Sequence, residues 1–295
     1  MQRFKKITLF DLILSIGMII VIIITLYPFL NILAISLNNA VDTAKGGIHI
    51  WPRQFTFANY TEIFGSNDRL LKAFIMSVTR TVVGTATGII ASTMLAYTLS
   101  RKDFVFNKPI AILLVLTMFV SGGLIPDYML IRNLGLINEF AVYILPMLIS
   151  AFNVIIIRSF MDNLPKALEE SAKMDGANDF TIFARIILPL SMPVIATISL
   201  FLAVGQWNSW FDTYLYARSN ENLTTLQYEL MKILDNASTS GGAGINSQNA
   251  EFIAKQTNPQ SLKMAITIIA TVPILMVYPF LQKYFVTGLT LGAVK

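Results

Sequence analysis

Six apolar stretches dominate the chain, near residues 11–37, 73–99, 109–131, 139–160, 186–212 and 264–285. Each is long enough to cross a bilayer as a helix, which takes about 20 residues. The pattern predicts an all-α integral membrane protein with residues 11–295 forming one domain of six transmembrane helices. The third stretch is the least uniform, because Ser-Gly-Gly-Leu-Ile-Pro interrupts it at 121–126. Either the span continues through a break satisfied by neighbouring protein, or it ends near Val120. The first stretch follows Arg3, Lys5 and Lys6, as the core of a signal peptide would. Its apolar run far exceeds the roughly 7–15 residues of such a core, and no small-x-small cleavage pattern follows, so it reads as an uncleaved anchor.

Composition supports the membrane reading. The chain is 55% hydrophobic and 13% charged, against roughly 25% charged in soluble domains. It has no cysteine, which rules out disulfide and thiolate chemistry. The net charge of +5 is scattered, with no basic patch interleaved with aromatics, so nucleic acid is not an expected partner. Twelve of the 22 lysines and arginines fall in 1–10, 100–108, 158–185 and 283–295, whereas nine fall in the longer 38–72, 132–138 and 213–263. The bias places both termini and the 161–185 loop in the cytoplasm, and 213–263 outside. The remaining one, Arg80, lies inside a span. Two turns from Lys72, it is expected to snorkel to the outer interface. Gly84 and Gly88 have the small-xxx-small spacing of close helix packing.

One charged piece breaks the apolar chain, LPKALEESAKMDGANDF at 164–180. Pro165 suits a first helical position, Glu169 and Glu170 favour the helix dipole, and Gly176 can take φ > 0 and end the helix. Asn178 or Asp179 can cap a second helix running into span five. Leu168, Ala172 and Asp175 share one face, with Ser171 beside them. A helix of about 12 residues is marginal alone in water. It either docks in a groove of a cytoplasmic partner or lies as an amphipathic connector on the membrane.

These residues resemble the importer-type ABC permeases. That family carries EAA, three residues, Gly, nine residues, then I-x-L-P. Here stand Glu170-Ser171-Ala172, 173–175, Gly176, 177–185 and Ile186-Ile187-Leu188-Pro189, with serine for the first alanine. GQWNSWFD at 205–212, IPDYMLIRNLGLINEFAVYILP and the tail YPFLQKYFVTGLTLGAVK are similar to the carbohydrate-uptake, maltose-type branch, and the overall look is nearest to permeases for oligosaccharides or polysaccharide fragments, uronate-containing ones included. The resemblance implies a cytoplasmic coupling helix between spans four and five. It would contact an ATPase through Glu169, Glu170, Ser171, Ala172, Asp175, Gly176, Ala177 and Phe180. It further implies a second homologous permease forming a heterodimer, two ATPase subunits holding ATP and magnesium, and an extracellular sugar-binding lipoprotein or periplasmic binding protein. The location would be a bacterial cytoplasmic membrane, with lipid around the spans.

This chain has no phosphate-binding G-x-x-x-x-G-K-[ST], so no cofactor is expected on it and ATP hydrolysis belongs to partners. No catalytic triad or metal-ligand cluster is evident, and the single histidine, His49, reads as solvated. Trp207, Asn208, Trp210, Phe211 and Tyr214 end span five. They could line a sugar pathway, where aromatic faces and amides are suited to carbohydrate. An aromatic belt at the outer interface is the other account of the aromatics. Pro189 and Pro193 can kink the start of that span. The 213–263 segment, with polar 246–260, is expected to touch the binding protein. An ion-coupled secondary transporter is the alternative, but no Asp or Glu lies deep within a span and no repeat is evident.

Overall fold

A computed structural model describes residues 8–65, 68–240 and 259–291. Among these the regular elements are helical, with one isolated bridge between Asn38 and Phe55. The chain divides into two compact units, Met1–Asp68 with Leu230–Val272, and Arg69–Glu229 with Pro273–Lys295.

The first unit opens with α1 (Leu9–Ser36), followed by the short turn α2 (Ala40–Thr43) and by α3 (Ala58–Gly65). Thr8 starts α1 with a capping box, accepting from Asp11 N while the Asp11 carboxylate accepts from Thr8 N at 2.9 Å. None of its most apolar 18-residue window is buried. A stretch that is apolar all round and has no buried position among the described residues is suited to lipid. Past α1 the chain turns polar and ties a knot. Asn38 donates to Asp42 Oδ2 at 3.0 Å and accepts from Gln54 N at 2.7 Å, and Arg53 pairs with Asp42 at 3.0 Å. The Asn38 amide, aided by Arg53, holds the Asp42 carboxyl below its usual range. His49 is exposed, with Nδ1 3.0 Å from the Tyr27 hydroxyl.

The second unit contains α4 (Asp68–Ser100), α5 (Asn107–Phe119), α6 (Leu124–Asn133), α7 (Ala151–Asp162) and α8 (Lys166–Met174). Then come α9 (Asp179–Ile182), a π turn over Phe183–Ile187, α10 (Leu188–Leu190), α11 (Met192–Asn208) and α12 (Phe211–Tyr216). The helices α13 (Leu226–Ser240) and α14 (Pro259–Leu291) each straddle the division, at Leu230 and Pro273. Residues 241–258, which hold most of the polar 246–260 stretch, and the basic residues of 1–7 lie outside the described residues.

Three expected spans are interrupted. The third ends as a helix at Phe119, and the chain restarts at Leu124 after Gly123 at φ +86°. The fourth is not one helix over 139–160. A 3-10 turn at Phe140–Tyr143 precedes Pro146, and α7 begins only at Ala151, because proline supplies no N–H and disfavours helix in the residue before it. The fifth bends by 80° between Asp179–Leu190 and Met192–Asn208, beside Pro189 and Pro193. Two described helices, α1 and α4, are singly long and apolar enough to cross a membrane, or three elements if the bent pair is one span. The 213–263 segment is also partly helical, in α12, a turn at Glu221–Leu223 and α13.

The helix α4 organises its unit by having two faces. Ala73, Ser77, Arg80, Gly84, Gly88, Ser92 and Ala96 recur every three or four residues and are buried or close-packed, whereas Ile75, Val82, Ile90 and Met94 are exposed. The small residues admit close neighbours. A Cβ on Gly84 would stand 2.7 Å from Gln206 Cδ, and one on Gly88 would touch Leu202 at 3.4 Å. The glycine pair therefore packs α4 on α11 of the same chain. At the other end of α4, Ala96, Leu99, Val154, Ile157, Ile182 and Ile198 form the largest buried cluster. Gln206 is pinned by hydrogen bonds and cannot swing aside freely. Gly84→Ala is therefore expected to lower stability by about 1–3 kcal/mol, read as an earlier thermal transition of the detergent-solubilised protein. An unchanged transition would show that Gln206 has room to move.

Candidate functional site

The charged insert folds as helix, corner, helix. Pro165 is the N-cap of α8, one position before the first helical residue. Gly176 has φ +82°, Gly176 N donates to Lys173 O at 3.0 Å, and Ala177 N donates to Ala172 O at 2.9 Å. This is the Schellman closure, which requires a left-handed residue and so selects glycine. Asn178 then caps α9, its side chain accepting from Thr181 N at 2.8 Å.

The insert presents two faces. Ala172 is buried in this chain's own largest cluster with Ile182, and Ala177 packs at its edge. Glu169 also turns inward. Outward stand Glu170, Ser171, Asp175 and Gly176, together with Met174 and Phe180, which are 88% and 71% exposed. Two bare apolar side chains beside a carboxylate and a small-residue surface make a face suited to a protein groove.

One arginine holds this piece in place. Arg101 follows α4 directly, and its side chain is 10% exposed. It donates to Glu169 Oε2 at 2.7 Å, to Asp179 Oδ1 at 3.0 Å and to the Tyr97 hydroxyl at 3.2 Å, and pairs with Asp103 at 3.4 Å. Glu169 and Asp179 flank the Gly176 corner, so one guanidinium fork grips both sides of the bend. Arg101 also holds the Asp103 carboxyl below its ordinary value. A depressed carboxyl contributes stability above its unfolded pKa and loses it only as pH falls through the lowered value, so this contact persists at neutral pH.

A second arginine sits further back along α4, fully buried. Arg80 donates from Nε and Nη2 to Gln206 Oε1 at 3.1 and 3.0 Å and forms a two-pronged pair with Asp212, Nη1 reaching Oδ1 at 3.2 Å. Its guanidinium lies 4.3 Å from the centre of the Tyr143 ring. Gln206 Nε2 donates to Tyr143 O at 3.1 Å, and the Tyr143 hydroxyl donates to Leu223 O at 2.7 Å. This corrects the expectation that Arg80 snorkels. A charge with 0% exposure cannot reach water, and burial is tolerable only with a paired counter-charge and filled donors. Asp212, read as a span edge, supplies the counter-charge.

The residues at the end of span five separate. Trp207 is buried against Phe74, ring centres 6.1 Å apart, and lines an apolar cavity of about 200 Å3 with Val78, Leu200 and Pro273. Asn208 is exposed. Trp210, Phe211 and Tyr214 form one aromatic group, with Tyr228 6.3 Å from Tyr214 and Arg218 5.6 Å above the Tyr214 ring.

The chain matches, over residues 63–291, the family described as binding-protein-dependent transport system inner membrane component. It belongs to that family. The permease is 39% identical over 288 residues to the polygalacturonan/rhamnogalacturonan transport system permease protein YtcP of Bacillus subtilis, covering 97% of this chain and 98% of that one. It is 28% identical to the arabinooligosaccharides transport system permease protein AraQ of the same organism, over 98% of this chain and 94% of the relative. Its fold matches a chain of a bacterial ABC transporter involved in the import of the acidic polysaccharide alginate, with a TM-score of 0.84, 26% identity, and coverage of 94% and 96%.

Sequence reasoning missed Arg101, Asp103 and the role of Gln206. The signal for the Arg80 pair was present: a lone arginine within one span and a lone aspartate at the edge of another call for each other in an apolar chain. Removing one partner leaves the other charge buried. Asp212→Ala in the permease is expected to cost about 3–5 kcal/mol, and the double change Arg80→Met with Asp212→Leu to recover most of it. Thermal melts of the variants in detergent test this, and a double variant no more stable than the single would refute it.

Proposed function

We propose that the permease is one of two related membrane subunits of an ATP-driven importer of oligosaccharides, and that uronate-containing fragments are its substrates. Six passes place both termini and the insert in the cytoplasm and the 213–263 segment outside. The helix α8 is the coupling helix, seated in an ATPase subunit through Glu170, Ser171, Asp175 and Phe180. Glu169 and Ala172 hold it to the rest of the permease. An extracellular or periplasmic binding protein delivers sugar from the other side.

One observation carries the reading. The insert joins an outward face, with bare Phe180 and Met174, to an inward face fixed by a buried arginine. A motor that moves α8 therefore pulls two things at once. It moves α11 through the bend at Ser191 and moves α4 through Arg101. Chemistry on the other side supports the sugar class. A group of aromatic rings suits sugar C–H faces, and Arg218 over Tyr214 suits a carboxylate. The relative with the polygalacturonan/rhamnogalacturonan name and the alginate transporter point the same way.

Copurification of the chain with an ATPase, and uptake of oligogalacturonides into proteoliposomes only when ATP is hydrolysed, are the expected results. Uptake driven by an ion gradient without an ATPase would refute the reading. So would a cognate binding protein that takes only neutral sugars, as regards substrate class. Gly176→Pro imposes a negative φ on a residue at +82°. It is expected to abolish uptake and ATPase association while the protein still inserts in the membrane, and normal values of both would count against docking. Arg101→Lys keeps the charge but not the fork. It is expected to leave the ATPase bound and reduce uptake per ATP hydrolysed, and an unchanged ratio would remove Arg101 from the transmission path.

A further inference from the structure

Two openings in the second unit share a wall. One is a polar cleft of about 640 Å3 beside α8, edged by Lys102, Arg158, Lys166 and Lys173. The other is an apolar groove of about 370 Å3 lined by Leu99, Ala111, Leu114, Val115, Val154 and Ile155. Arg158 and Asp162 line both, so the cleft and the groove adjoin.

The charges around the cleft do not cancel locally. Asp103 and Glu169 are held by Arg101, Lys173 stands 3.8 Å from Asp103, and Asp162 is paired with Arg158 at 3.5 Å. Glu170 also lines the cleft and is exposed. Lys102 and Lys166 instead face each other, and among the described residues neither has a carboxylate within ion-pair distance. The neighbouring Lys166 ammonium pushes the Lys102 pKa down, against the weaker opposing pull of Asp162. Two such cations side by side favour an anion between them. A free phosphate would leave the adjoining groove empty, whereas a lipid with a negative headgroup fills both parts, headgroup at the lysines and acyl chain between α5 and α7.

We infer that the lysine pair Lys102–Lys166, with Arg158 at the junction and the groove behind it, is a binding site for an anionic phospholipid of the cytoplasmic leaflet. The inference rests on the cytoplasmic placement of the insert given under the proposed function. Basic pockets between membrane helices on that side are where such headgroups collect.

The test counts lipid on the permease purified in mild detergent, with whatever subunits accompany it, from cells or from vesicles of phosphatidylcholine and phosphatidylglycerol. Wild type should retain phosphatidylglycerol in preference to phosphatidylcholine. The double variant Lys102→Gln, Lys166→Gln should lose it by about fivefold for each lysine removed. Ala111→Trp, which fills the groove and leaves every charge in place, should also lose it. Lys45→Gln, in the other unit, should not. The inference is overturned if either site variant retains phosphatidylglycerol at the wild-type level, or if phosphatidylcholine is lost in the same proportion. It is also overturned if inorganic phosphate displaces the lipid, or if an ATPase subunit leaves with the lipid on changing the lysines. Uptake is not among the readouts, so failure of the sugar-import reading leaves this count standing.

Discussion

A guanidinium sealed from both water and lipid dictates much of the second unit. Arg80 has 0% exposure and must find acceptors for its donors inside the protein. Gln206, Asp212 and the carbonyl of Ser209 supply them. Those acceptors come from the end of α11 and the start of α12, so the arginine fixes where α11 gives way to α12. Gly84 must lack a side chain because Gln206 occupies that space. Tyr143 must sit over the guanidinium, which draws in the irregular segment before α7. The ion pair is thus less a source of net stability than a specification of which surfaces meet.

The same helix ends at another arginine with a different task. Arg101 is reached by water at its edge and gathers carboxylates from both sides of the Gly176 corner. Its side chain couples α8 and α9 to α4 without a covalent connection. With the 80° bend before α11, the insert has two lines of attachment to the apolar body. A short helix unstable by itself becomes rigid because Ala172 and Ile182 are buried and Glu169 is pinned.

Much of this could be read before any coordinates. Helix-corner-helix at 164–182 follows from Pro165, Gly176 and Asn178, because local backbone chemistry decides it. Apolar runs at 11–37 and 73–99 are legible for the same reason: their length and uniformity leave no other state. What could not be read depends on contacts distant in sequence. Pro146 marks a break in the fourth stretch, yet hydropathy averages across it. Glu169 looks like a surface carboxylate until Arg101, 68 positions earlier, is brought beside it. Trp207 and Tyr214 look alike in sequence, but one is buried on Phe74 and the other faces outward in an aromatic group. The division of the insert into an inward and an outward face required knowing where the core lay.

The first helix acts as a gauge. Its polar fixtures are the Thr8–Asp11 cap at one end and Asn31 at the other, whose amide holds the carbonyls of Ile48 and His49. From Asp11 to Asn31 the helix rises about 30 Å, close to the thickness of the hydrocarbon layer. Neither fixture can slide into oil without giving up its hydrogen bonds. A bilayer that this helix crosses, if much thicker or thinner than that, must deform around it or tip it.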